Sequence, residues 1–413
     1  MLVQLVDADG QTCWGKAGAL GALLRAGLPV PDGFVIPIAA YRAAVAELDL
    51  GRLTGEPGGV EAARQAIETR PLPGALRDAL ARALGALGEV AVAVRSSAGN
   101  EDTARTSAAG QHESVLAVQG LDQVALAVAT CWASLYSRGA VAYRDAPAPG
   151  RAPVAPVMGV LIQRHLDAEA SGVMFTSGGA GQATVIEASW GLGPSIVGGI
   201  LTPDTYRVTA DGTVARYVAD KRTRLDRDGT RLVTRQVLAS DRLTATLDDA
   251  TAARLARLGH SVAVALGGPR DVEWAILDAR TWVLQARPIT AALPPPRSPS
   301  APGDCSATLT GTPGSRGTAT GTTRIVRGPS DFHRVRPGDI LICPWTDPGW
   351  TPLLRIAAGV VTETGGVLSH AAIIARERGT PAVLGIPDAT RMLREGTTTT
   401  IDGTAGTVTT THV

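Results

Sequence analysis

The histidine at position 370 stands where imidazole chemistry is readily supported. It lies in the stretch TGGVLSHAAIIARE, residues 364–377, behind Thr364, Gly365, Gly366 and Ser369. Two adjacent glycines let the backbone turn tightly and approach a ligand. Ser369 is a candidate N-cap, and the run that follows predicts a helix reaching Gly379 and stopped before Pro381. His370 then occupies the first turn, facing the positive end of the helix dipole. That field favours a neutral, nucleophilic imidazole before it takes up a phosphoryl group and stabilises the dianionic phosphate afterwards. Local features alone fit a structural helix with a capping histidine equally well.

A second group is legible from period alone. Residues 271–276 and 282–287 are two strand-like runs joined by Asp278, Ala279 and Arg280, which suggests a hairpin. With the turn centred on Ala279, Glu273 faces Gln285 and Asp271 faces Arg287. Side chains alternate with period two, so all four project from one face. Two carboxylates, an amide oxygen and a guanidinium form a plausible seat for Mg²⁺ and a triphosphate. The bland alternative is a solvated polar face.

Two cations complete the set. Residues 92–98 read as a short strand ending in polar residues, followed by a small-residue loop at 107–111 that contains Gly110 and Gln111. Such a loop offers backbone N–H groups to phosphate oxygens, and Arg95 offers a bidentate clamp. Of the 39 lysines and arginines, only Lys16 and Lys221 are lysine. Where arginine is the rule, a lysine marks a position that needs a compact ammonium. Lys16 sits among glycines before an amphipathic run, whereas Lys221, in Asp220-Lys221-Arg222, has no contact to assign.

These groups need scaffolds, and the chain shows two. Residues 291–304 are proline-rich without apolar periodicity, and polyproline geometry lets such a linker reach roughly 40 Å. Residues 314–413 then read as a β/α unit: strand-like residues between 317 and 326, another run at 335–342, the His370 helix and a closing hairpin at 400–408. Segments 163–176 and 187–193 read as core strands and turns. A chain of 413 residues with 45% hydrophobic content has length for two or three cored domains. Its net charge of +1 gives no electrostatic case for nucleic acid or an anionic membrane. Without an apolar run long enough to cross a bilayer, or the basic and apolar regions of a signal peptide at its start, a soluble cytoplasmic protein is expected. Cys13, Cys131, Cys305 and Cys343 lack metal-ligand spacing and are read as reduced thiols. His112, His165, His260, His333 and His412 share no short metal spacing and are read as structural or exposed.

The stretch 364–385, ending Arg378-Gly379-Thr380-Pro381-Ala382-Val383-Leu384-Gly385, resembles the phosphohistidine signature of the phosphoenolpyruvate-utilising enzymes. This group includes pyruvate phosphate dikinase, phosphoenolpyruvate synthase and rifampin phosphotransferase. Thr380 departs from the usual isoleucine. The segment around Lys16, the Arg95 strand with its loop, and the Asp-x-Glu step to Gln285 followed by Ala286-Arg287-Pro288 are similar to the nucleotide site of the same enzymes. Gly99-Asn100 and the small residues 106–109 differ from the family's usual loop, which puts its closure geometry in doubt.

The resemblance implies an α+β, α/β multidomain protein. An ATP-grasp domain would occupy 1–290 and a swivelling β/β/α phosphohistidine domain 305–413. It implies that Lys16, Arg95, Gly110, Gln111, Asp271, Glu273, Gln285 and Arg287 hold ATP, with Glu273 and Gln285 as ligands of Mg²⁺ and Gln163 and Glu187 as candidate adenosine contacts. His370 would be phosphorylated and carry the group to a small-molecule acceptor, releasing AMP and phosphate. The segment at 346–352 is family-like, with no role to assign. No acceptor domain is expected between the two parts. The alternatives are a phosphohistidine-forming subunit whose acceptor sits on a separate partner protein, and a non-catalytic nucleotide-binding protein.

Overall fold

Residues 34–36, 92–94 and 158–162 are apolar and rich in β-branched side chains, and each run becomes a strand of one antiparallel sheet. The computed structural model describes residues 2–13, 15–56, 58–98, 113–137, 139–141, 156–179, 182–293 and 308–410. They form two compact units, one drawn from 1–169, 226–234 and 258–288, the other from 170–225, 235–257 and 289–413. Both mix helices with sheets, and none of the described helices is long and apolar enough to cross a membrane.

In the first unit, five strands run in the order Val3–Gln4, Gly33–Ile36, Met158–Arg164, Val92–Ala98 and Ser114–Val118. Every neighbouring pair is antiparallel. Helices supply the core beside it. Val92, Val94, Val160 and Ile162 pack with Leu80, Leu84, Val124, Val128 and Trp132 from helices Gly74–Leu87 and Leu121–Ala133. Tyr41 meets Trp132 edge to face, with ring centroids 5.7 Å apart.

The hairpin of this unit pairs Arg270–Leu277 with Arg280–Pro288. Its register matches the expectation at the chemical positions: Asp271 faces Arg287 and Glu273 faces Gln285. The route there is different. The turn is the two-residue step Asp278-Ala279, with φ values of 51° and 57°, the left-handed pair of a type I′ connection. A turn of that kind would put Glu273 opposite Leu284, and a register shift between Glu273 and Trp274 restores the pairing with Gln285.

The second unit contains an antiparallel run of strands, Ala170–Phe175, Thr184–Trp190, Asp204–Val208 and Val214–Tyr217. It also holds an eight-stranded sheet, built from residues 308–410. The middle of that sheet is parallel: Thr318–Ile325, Ile340–Cys343, Gly359–Thr362 and Ala382–Leu384. The last three are buried at every position, as parallel strands covered on both faces must be. Period two sorts their side chains. Leu341, Cys343, Val360, Ala382 and Leu384 pack with Ala371, Ala372, Ile374 and Ala375 of the helix. Ile340, Ile342, Val361 and Val383 go with Ile401 and Val408 on the other face. The closing hairpin is Thr398–Asp402 with Thr407–Thr410.

Helix His370–Arg378 begins and ends as its sequence requires. Gly379 adopts φ 68°, and Thr380 N–H reaches back to Ala375 O at 2.9 Å, closing the last turn before Pro381. Ser369 holds the N-cap position with extended dihedrals, but its side chain does not cap the helix. Its hydroxyl donates to Gly366 O at 2.8 Å, so Ser369 braces the loop instead.

Candidate functional site

In the first unit, the strand Val92–Ala98 delivers Arg95 to the hairpin. Arg95 Nη1 donates to Leu284 O at 2.6 Å, and Nη2 donates to Glu273 Oε2 at 3.0 Å and Gln285 Oε1 at 2.7 Å. One guanidinium thus joins two hard oxygens from facing strands, with the Arg95 side chain 11% exposed and that of Glu273 24%. One residue pair further along, Arg287 binds Asp271 at 2.7 Å, with both nearly closed to solvent. Asp271, Gln285 and Arg287 are all buried, which rules out a solvated polar face.

Lys16 lies in the second position of helix Gly15–Arg25, its Nζ 3.5 Å from Ser96 Oγ. Ser97 Oγ receives the N–H of Ala17 at 3.2 Å and donates to Cys13 O at 2.9 Å, so the strand end satisfies a donor of the helix's first turn. Val283 N–H donates to Pro29 O at 2.7 Å, tying the hairpin to the segment after that helix. The structure therefore brings Lys16, Arg95, Glu273 and Gln285 to one strand end, with Asp271 and Arg287 on the same hairpin. Gln163 is buried, donating to Pro31 O at 3.1 Å. Gly110 and Gln111 lie outside the described residues.

Among the described residues no group of three or more His, Cys, Asp or Glu is placed to hold a metal ion. Magnesium does not require one, because it is commonly held by one or two carboxylates with phosphate oxygens and waters. The donor chemistry of Glu273 and Gln285 fits: both are oxygen donors, and both already converge on a single cationic atom, Arg95 Nη2.

In the second unit, His370 is 3% exposed, and its Nδ1 lies 3.1 Å from Thr346 Oγ1. The loop before it is pinned. Thr364 Oγ1 donates to Gly199 O at 2.6 Å and Pro344 O at 3.1 Å, and Arg376 Nη1 reaches Val367 O at 2.7 Å. Gly365 needs its glycine for conformation, with φ 104°. Glu187 touches this loop: its Oε2 accepts the Leu368 N–H at 3.1 Å. Cys343 lies beneath, and burial, reinforced by Glu363, pushes its thiol far above the ordinary range, so it stays protonated. Cys13, Cys131 and Cys343 are all buried free thiols.

Two placements escaped sequence reasoning. Thr346 sits in a singled-out segment, yet nothing in the 24-residue gap announces its contact with His370. Lys221 proves fully buried, with Nζ on Asp204 Oδ1 at 2.7 Å, Ala219 O at 3.0 Å and Arg242 O at 3.1 Å. Three acceptors match the three ammonium hydrogens, and Asp204 also accepts from Ala219 and Thr246, so this pair is a structural clamp.

Both centres lie within segments that match known family domains. Residues 12–298 match the pyruvate phosphate dikinase AMP/ATP-binding domain, and residues 335–406 match the mobile domain of phosphoenolpyruvate-utilising enzymes. A probable phosphoenolpyruvate synthase of Methanothermobacter thermautotrophicus is 34% identical over 417 residues, covering 95% of this chain and 60% of that protein. The phosphoenolpyruvate synthase of Aeropyrum pernix is 34% identical over 458 residues, covering 95% and 56%. That of Pyrococcus furiosus is 31% identical over 482 residues, covering 98% and 58%. The chain thus spans less than two thirds of the length of these relatives. With the nucleotide-binding domain matched over more than half of its residues and the mobile domain over most of the remainder, the chain belongs to the phosphoenolpyruvate-utilising dikinase family.

Proposed function

We propose that this chain is an ATP-dependent phosphotransferase of dikinase type. ATP phosphorylates His370, and the histidine passes the group to a small-molecule acceptor, with AMP and inorganic phosphate as the other products. The observation that carries the reading is the pairing of Arg95 with Glu273 and Gln285, a phosphate clamp beside two oxygen donors, in a chain that also holds a buried histidine at a helix N-terminus. In this reading residues 1–290 are an ATP-grasp domain and 305–413 a swivelling phosphohistidine domain.

Lys16 and Arg95 neutralise and orient the triphosphate, while Glu273 and Gln285 would hold Mg²⁺, which would supply charge neutralisation at the phosphate oxygens. Asp271 keeps Arg287 in register on the same hairpin. At the carrier, Thr346 meets Nδ1 and orients the ring, and Nε2 is the nitrogen assigned to bond phosphorus while the phosphoanhydride P–O bond breaks. A hydroxyl or enolate oxygen of the acceptor then takes the phosphoryl group and the N–P bond breaks. Water takes the other phosphoryl group as inorganic phosphate.

A second reading places the acceptor site on a separate polypeptide, with the same phosphorylation of His370 as its first step. Incubation with β- and γ-labelled ATP tests both. Acid-labile, base-stable label absent from His370→Ala is expected, and AMP formation with a small molecule and no added protein favours the first. Absence of label under all conditions, with and without Mg²⁺, would sink both.

A further inference from the structure

Glu187 has 0% exposure in the middle of strand Thr184–Trp190, opposite Val173 on one side and Thr205 on the other, so its backbone has nowhere to retreat. Its carboxylate meets the loop that leads to His370 at two points. Oε2 accepts the Leu368 N–H at 3.1 Å, in a setting closed to solvent. Gly366 packs directly against the same carboxylate, and a Cβ built on that glycine would overlap both oxygens and the carboxyl carbon. The two glycines of the loop therefore answer different demands. Gly365 carries φ 104°, whereas Gly366 is absent from the positive-φ glycines, so what it requires is room for Glu187. Leu368 completes the contact by burying its side chain among Val173, Phe175, Ile196 and Leu201.

We propose that Glu187 is a positioning residue for His370: in the arrangement in which the carrier loop 364–369 rests on strand Thr184–Trp190, its buried carboxylate grips that loop and fixes the helix N-terminus that presents the imidazole, and the grip releases when the carrier swings away. The proposal rests on the phosphohistidine reading given above. The grip is transmitted over a short path. Ser369 Oγ donates to Gly366 O, and Ile373 N–H donates to Ser369 O at 3.0 Å, so a displacement at 366–368 moves the first turn with it. Thr364, bonded to Gly199 O, anchors the other end of the loop.

The test compares Gly366→Ala, Glu187→Gln, Glu187→Ala and the double variant Gly366→Ala/Glu187→Ala, using labelled ATP. Single-turnover labelling of His370 at saturating ATP, the ATP dissociation constant and hydrogen exchange at the Leu368 amide are read for each. Gly366→Ala is expected to slow labelling about 10- to 100-fold at unchanged ATP affinity. Its effect should shrink in the Glu187→Ala background, because the clash is gone. Glu187→Gln keeps shape and an acceptor oxygen and retains most of the Leu368 protection that Glu187→Ala loses. Additive effects of the two positions overturn the proposal, as do Glu187 variants that weaken ATP binding but label at the normal rate once saturated. If the wild-type chain takes no label, the phosphotransfer reading fails separately, and the exchange measurement still decides: unchanged Leu368 protection in Glu187→Ala overturns the grip.

Discussion

The hydroxyl of Thr346 lies 3.1 Å from Nδ1 of His370, inside a site that water does not enter. In the phosphohistidine reading, that contact orients the ring and assigns Nδ1 to the hydroxyl and Nε2 to the phosphoryl group. Thr346→Val, which keeps the shape and removes the oxygen, is expected to slow single-turnover labelling of His370 about 10- to 100-fold. Thr346→Ser should recover most of the rate. Equal rates in the valine and wild-type chains would remove Thr346 from the mechanism.

Arg95 serves three acceptors with one planar fork, and lysine cannot reproduce that geometry. In Arg95→Lys, loss of a charged hydrogen bond of about 1.5–3 kcal/mol predicts at least a tenfold weaker hold on ATP. Thermal midpoints measured with and without nucleotide report this. The wild-type chain gains about 2.7 kcal/mol at a hundredfold excess over its dissociation constant, and the variant gains less at the same concentration.

Lys221 and Asp204 test the clamp. Truncating one partner of a buried ion pair strands the other, at a cost of about 3–5 kcal/mol, so Lys221→Met should lower the denaturant midpoint strongly. Adding Asp204→Asn should cost less than it does in the wild-type background, a non-additivity that a double-mutant cycle measures directly. Additive losses would mean that the two residues act independently.

His165 supplies a pH prediction. Its side chain is 3% exposed, with Nε2 3.6 Å from Asp167 Oδ1. Burial lowers its folded-state affinity for protons below that of an ordinary imidazole, near 6.5, with Asp167 opposing in part. Between that lowered value and 6.5 the unfolded chain binds the extra proton, so stability rises with pH across this window and is lost as pH falls through it. Replacing His165 with Gln should flatten the slope there, read from denaturation midpoints between pH 7 and 5. An unchanged slope would show that His165 titrates alike in both states.

Local pattern carried much of this molecule, and its limits have physical causes. The His370 helix was legible because cap, apolar run, glycine and proline all lie within one short stretch. The pairing of Asp271 with Arg287 was legible because period two is a strong rule, yet the type I′ turn and the register shift that together produce it left no mark, since either alone gives a different pairing. The resemblance implies a nucleotide contact for Glu187, and the structure shows one with the loop before His370. Its contact with Leu368 spans 181 positions, and no local pattern encodes a partner so distant. Ser369 showed the same limit on a small scale: the N-cap position was readable, but the direction of its hydroxyl depends on the turn made by Gly366.

The sealed ammonium of Lys221 also makes the protein unusually simple to footprint. With one of its two lysines enclosed by three oxygen partners, an amine-acylating reagent meets a single reactive side chain in the folded chain, Lys16. Protection of that residue by nucleotide can then be read from one modified peptide, and the appearance of a second, carrying Lys221, reports that the fold has opened.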